Sequence, residues 1–345
     1  MLELMENIVT AKAGLESNDL IGHQQNSAAL NTKVEYTAEE MLDALQDATQ
    51  NFSQLFAERL GSDESNVLNC LLLTDLGRAQ MRYYGQARKT NLAKAESKSD
   101  SEKWIHELHR SVENTFELAN ESLMTVEVQD SAYQLAKAHL VNNQLLLLQR
   151  RFSRDEVAFD HTFIELIELW SDSIDALCSS IVEPLDPRAN SVNFERALCY
   201  SNLADLISDG IQRQLQPELF LELELAAREK AIQRLQRIPP SQRSQRCEDN
   251  FWINELRAIA ERIRYEKQLD PELVVQAREL DTFLGGVLDC SLGQFLLYDR
   301  LAIASVLPER YDGKRLSDFA NSINLEPTRF ADSNLEHWLS QFQTD

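Results

Sequence analysis

The sequence predicts an all-α protein, an antiparallel helical bundle or irregular helical array of about ten helices in one or two lobes. Ten glycines and eight prolines are few for 345 residues, whereas packed sheets need turn residues far more often. Apolar residues return at helical spacing along most of the chain. Capping pairs and prolines mark where the helices start and stop.

The clearest element is the stretch 153–183. Phe163, Ile167, Trp170, Ile174, Leu177 and Ile181 follow one another at steps of 4, 3, 4, 3 and 4, the seam of an amphipathic helix. Ser153 and Glu156 have capping-box spacing, and Pro184 and Pro187 mark the stop.

Before it, residues 2–15 predict a short helix and 17–34 a polar link. Thr37 and Glu40 cap a helix that runs to Gly61, a C′ residue. A further helix covers about 64–89 through Val67, Leu71, Leu72, Leu76 and Met81. Ser99 and Glu102 cap the next, which carries Trp104, Leu108, Val112 and Phe116. The helix over 131–152 is apolar nearly all round, through Leu135, Ala138, Leu140, Val141, Leu145, Leu146 and Leu147, so it is expected to be central and buried.

After the prolines, helices are expected at 192–215 and from Pro217 to about Arg237, stopped by Pro239 and Pro240. Trp252, Leu256, Ile259 and Ile263 mark another over 250–267, and Asp270–Pro271 opens one more. On that helix Thr282, Gly286, Cys290 and Gly293 form a stripe of small residues, read as close helix packing or a groove. The domain reading is a short helix and polar link over 1–36, an N-terminal bundle over 37–186 and a C-terminal lobe over 187–345.

Charge bounds the function. The chain carries 56 acidic and 34 basic side chains, a formal charge of −22, which repels nucleic acid and anionic lipid. No run of 18 apolar residues occurs, and the N-terminus lacks the basic and apolar regions of a signal peptide. Five scattered cysteines without a Cys-x-x-Cys pair predict buried thiols and a cytoplasmic location.

Three groups are candidates for function. His161, Glu165 and Glu168 present nitrogen and oxygen ligands from successive turns, the start of an acidic stripe continued by Asp172 and Asp175. They are candidate metal ligands, although the binary pattern also fits a solvated face opposite the apolar seam. Arg228, Lys230, Arg234, Arg237, Arg243 and Arg246 stand against one carboxylate, Glu229, between Ala226 and Arg246. That basic run is expected to cover an acidic face of the same chain or to dock an acidic partner. His139, Asn142 and Asn143 place polar groups on the central helix, so they are either hydrogen-bonded core residues or pocket linings.

Glycine-rich phosphate loops, zinc-protease and nucleophile-elbow motifs are absent, and no Glu-x-x-His pair supports a di-metal bundle. The leading expectation is therefore a non-catalytic interaction or adaptor protein, with a helical groove and segregated acidic and basic faces, no cofactor, and another protein as partner. Self-association into a homo-oligomer is compatible with it. Two alternatives remain. One is an enzyme or small-ligand or metal receptor with a pocket between the central helices. The other is a DNA-associated regulator, since Leu316 to Pro327 resembles a helix-turn-helix with Asn324 at the turn.

Overall fold

The computed structural model describes Asp47 and residues 61–92, 98–152, 161–212, 217–265, 270–290 and 296–322, with the side chains of 82–108, 152, 161–162, 211–212, 217 and 320–322 left aside. Among these residues there is no strand, and the fold is an all-α array. The helices are α1 (Ser62–Leu92), α2 (Lys98–Met124), α3 (Ser131–Phe152), α4 (His161–Ser179), α5 (Ala189–Gln212), α6 (Pro217–Gln236), α7 (Gln245–Tyr265), α8 (Pro271–Phe283), α9 (Leu297–Ser305) and α10 (Gly313–Ser322). The helices expected over 2–15 and 37–60, the Ser153–Glu156 cap and the second half of the helix-turn-helix-like tail lie outside the described residues.

The chain forms two compact units: residues 1–148 with 179–195, and 149–178 with 196–345. The expected boundary near the prolines falls inside a segment that returns to the first unit.

In the first unit, α1 and α2 pair antiparallel. Asn66 donates to Thr125 at 2.8 Å, Asn69 to Ser122 at 2.8 Å and Thr115 to Gln80 at 3.1 Å. Val67, Cys70, Leu73, Val112, Phe116, Ala119, Leu140 and Leu147 fill the core beneath them. Gly77 allows the approach: a Cβ there would overlap the Phe116 ring. Helix α3 is buried on most sides, as its apolar girth predicts, with Ala136, Ala138, Leu140, Val141, Leu145 and Leu147 all inside.

In the second unit, the seam of α4 buries Phe163, Ile167 and Ile174. Phe163 packs on Gly210 of α5 and lies 5.7 Å from the Phe220 ring of α6. Ile181 does not continue the seam. The helix ends at Ser179, and Ile181 is 90% exposed. Pro184 explains the early stop: its ring would clash with the carbonyl of residue 180 and could return no N–H to it.

Helices α7 to α10 enclose a second core around Leu256, Ile263, Leu273, Leu301 and Tyr311. Asp270 caps α8 by accepting from the Glu272 N–H at 2.9 Å. The small-residue stripe expected through Gly286 and Cys290 is not helical, because α8 stops at Phe283. Gly285 (φ 71°) and Gly286 (φ 117°) take backbone conformations that side chains resist. Their N–H groups return to the Thr282 and Asp281 carbonyls at 3.2 and 2.9 Å, a Schellman-type C-cap. The last three helices are accordingly short, at 13, 9 and 10 residues, where sequence periodicity suggests longer ones.

Candidate functional site

The two candidate carboxylate ligands stand on the outward side of α4. Glu165, Glu168 and Asp172 are exposed, and the His161 side chain lies outside the described residues. Among the described residues, no three His, Cys, Asp or Glu side chains are grouped to hold a metal ion. The last member of the stripe, Asp175, has a different fate. Lys230 donates to its two oxygens at 2.7 and 2.8 Å, and the Tyr200 hydroxyl donates at 2.6 Å. Burial works against its charge, but Lys230 and Tyr200 hold its carboxyl below the ordinary range. Arg234 donates to the Cys178 carbonyl at the C-terminal end of α4, at 2.8 Å.

The basic run is therefore partly spent inside its own unit. Lys230 and Arg234 bind α4, Arg243 donates to the Ile238 carbonyl at 2.9 Å, and Arg237 and Arg246 stay exposed. Arg228 has to be removed from the patch, because it is 1% exposed and faces the interior. Its position on α6 explains this. Phe220, Glu224, Arg228, Ala231 and Leu235 share the buried side of that helix, so Arg228 sits in the core phase rather than beside Lys230.

Around Arg228 lies a chain of alternating charges that was not anticipated. Its Nε donates to Glu224 Oε1 at 2.7 Å, and its Nη2 to Asp205 at 3.1 Å. Arg257 also binds Asp205, and its Nε is 3.9 Å from Asp299. Arg264 joins Asp299 and Glu261, each at 2.5 Å. Four carboxylates thus meet three guanidiniums between α5, α6, α7 and α9. The two terminal acids, Glu224 and Glu261, are almost wholly buried, and Glu224 Oε2 has no hydrogen-bond partner. Burial together with the Glu261 charge outweighs Arg228 and pushes Glu224 up to about 8. Glu261 is pushed up by burial as well. Four carboxylates against three guanidiniums leave one acid in surplus, and burial of the two terminal acids favours a proton at that end of the balance. Such a cluster orders helices in register and leaves its acids committed to guanidiniums. Its sequence signal was an acid and an Arg at i,i+4 in the apolar phase of α6. Asp205, Arg257, Glu261, Arg264 and Asp299 carried none, since only the fold brings them together.

The candidate pocket residues are in the first unit. His139 Nε2 is 3.0 Å from Asp75 and its Nδ1 is 3.3 Å from Glu195. Asn142 donates to the same Glu195 at 3.2 Å, and Asn143 to the His139 carbonyl at 2.8 Å. Asn143 Oδ1 is buried without a partner. Burial opposes a charge on His139, but Glu195 and Asp75 overcome it and hold the imidazolium up to about 9. The three predicted residues do cluster, as a clamp completed by two carboxylates that sequence spacing could not assign.

A pH signature follows from the clamp. The folded value lies above the ordinary 6.5, so the fold holds that proton more tightly than the unfolded chain does. The stabilisation is complete below 6.5 and gone above about 9. Within that window unit 1 is expected to lose up to about 1.4 kcal/mol per pH unit from this group. His139→Gln should be less stable than the wild type in mild acid, with the gap closing towards the alkaline limit. Urea midpoints across the range measure it, and a gap independent of pH refutes the assignment.

The remaining feature is apolar. Two loops are pinned in the first unit, one to Asp63 of α1 and the other to the first turn of α3. In the loop 125–130, the Glu127 and Val128 N–H groups donate to Asp63 at 3.1 and 2.9 Å, while Val126 is buried. In the segment 180–188, Ser180 donates to Gln134 at 2.9 Å and Asp186 bonds to Ser131. Here Met124 is 78% exposed, Val128 64%, Ile181 90% and Leu185 97%. Four large apolar side chains are therefore presented to solvent by pinned backbone. The sequence signal was Leu185 between Pro184 and Pro187.

No family model matches the sequence, and neither a curated protein nor a solved structure matches it.

Proposed function

We propose that the protein is a non-catalytic interaction protein, an adaptor that holds another protein on a preformed surface. The observation that carries this reading is the exposure of Met124 at the end of α2 and of Val128, Ile181 and Leu185 on two pinned loops of the first unit. Large apolar side chains grouped in water mark binding surfaces, and loops that are already ordered bind without a large entropic cost. The ionisable groups of each unit support the same reading, because within the His139 clamp, and separately within the Arg228 cluster, opposite charges face each other. The five cysteines are free thiols, and burial pushes Cys70 up to about 12; this favours a reducing, cytoplasmic setting. No helix among the described residues is long and apolar enough to cross a membrane.

The test is affinity capture with the wild type and with Ile181→Ser/Leu185→Ser, quantified side by side. A protein enriched about tenfold on the wild type supports the reading, since two lost apolar contacts are worth at least that much. Equal capture by both forms sinks it.

A further inference from the structure

The surface just described has a charge as well as a shape, and the charge specifies the partner. No Lys or Arg occurs in residues 61–77, 111–136 or 179–187, stretches of the first unit that carry or adjoin these side chains. Glu64, Glu127, Asp130 and Glu183 are exposed around the four apolar side chains, while Asp63 and Asp186 tie the loops down. Arg188 follows the second loop and stands beside Asp186. An apolar centre inside an anionic rim repels other acidic surfaces, including anionic lipid and nucleic acid. A second copy of this chain would bring the same negative rim against it. A cationic amphipathic segment fits both parts: its apolar side chains cover the leucine, isoleucine, methionine and valine, and its Lys or Arg residues meet the rim.

We propose that the surface of the first unit formed by Met124, Val128, Ile181 and Leu185 docks a basic amphipathic helix or strand of another protein. This rests on the reading of the chain as an interaction protein. It adds the chemistry of the partner and the place where it binds.

The experiment titrates the full-length protein with three labelled peptides: an amphipathic Lys/Leu helix, its Glu/Leu counterpart, and a scrambled Lys/Leu peptide with no apolar face. Wild type is compared with Ile181→Ser/Leu185→Ser and with Glu127→Gln/Glu183→Gln, whose changes lie on exposed loops; circular dichroism confirms that they fold. The expected result is binding of the Lys/Leu helix alone. It should weaken about tenfold or more in the Ser variant, and fall both with added salt and in the Gln variant. Equal binding of the Glu/Leu peptide overturns the basic partner and leaves the interaction reading standing. Equal binding of the scrambled peptide, or binding unchanged in the Ser variant, overturns the docking surface. If no peptide binds and the protein instead self-associates through Ile181 and Leu185, the occupant is a second copy and the proposal fails. If it neither binds nor self-associates, the wider reading fails with it.

Discussion

Arg228→Met is expected to cost the second unit about 3–5 kcal/mol, the range seen when one partner of a buried ion pair is removed. The reason is local. Arg228 is 1% exposed and is the link between Glu224 and Asp205. Methionine fills much of the space but leaves Glu224 without its counter-ion and Asp205 with Arg257 alone. In acid these groups can take up protons, so the loss should shrink there and grow as the pH rises. Urea unfolding across the pH range measures it, with amide exchange in α6 and α7 to assign the unit. A loss under about 1 kcal/mol at neutral pH would mean that the two acids reach water.

Glu224→Gln makes the complementary change and should be mild. Its neutral amide takes the shape of the protonated carboxyl while still accepting from Arg228. In the wild type, Glu224 sits above its ordinary 4.5, at about 8. A group raised in the fold stabilises fully below the unfolded value and stops doing so as pH climbs through the folded one. Stability should therefore decline between those limits, and Glu224→Gln should flatten that decline. An unchanged slope would place the proton elsewhere in the cluster.

The second large effect concerns the Phe163 contact. Phe163→Ala is expected to cost about 3–5 kcal/mol, the usual range for emptying a buried aromatic site. Phe163 is fully buried against Gly210 and Phe220. Gly210→Ala attacks the contact from the other side: its Cβ would stand 2.6 Å from Phe163 Cε1, and overpacking of that kind costs about 1–3 kcal/mol. Combined, the changes should cost less than their sum, because alanine at 163 leaves room for the new methyl. Denaturant midpoints for the two single variants and the double variant close the cycle. Strict additivity would mean that Gly210 and Phe163 do not touch.

Much of the architecture was legible beforehand. The all-α class, the helices α3, α6 and α7, and the Asp270–Pro271 start of α8 follow from short-range rules of spacing and capping, and those rules act within a few residues. The misreadings share a cause. Ile181 and Gly286 continue a helical rhythm, yet Pro184 and the Gly285–Gly286 pair end the helix first, because steric and φ constraints outweigh periodicity. Arg228 was grouped with Lys230 by closeness in sequence, although 200° of helix separates them.

The sequence by itself determined the helices, the net negative charge and two acidic loops whose single basic residue is Arg188. Only the tertiary structure decided which charges face each other: Asp75 and Glu195 on His139, Lys230 on Asp175, and Asp205 with Asp299 among three guanidiniums. It also decided that Ile181 and Leu185 stand in water. Pairings between residues tens of positions apart depend on how helices pack, and a linear pattern carries no term for that.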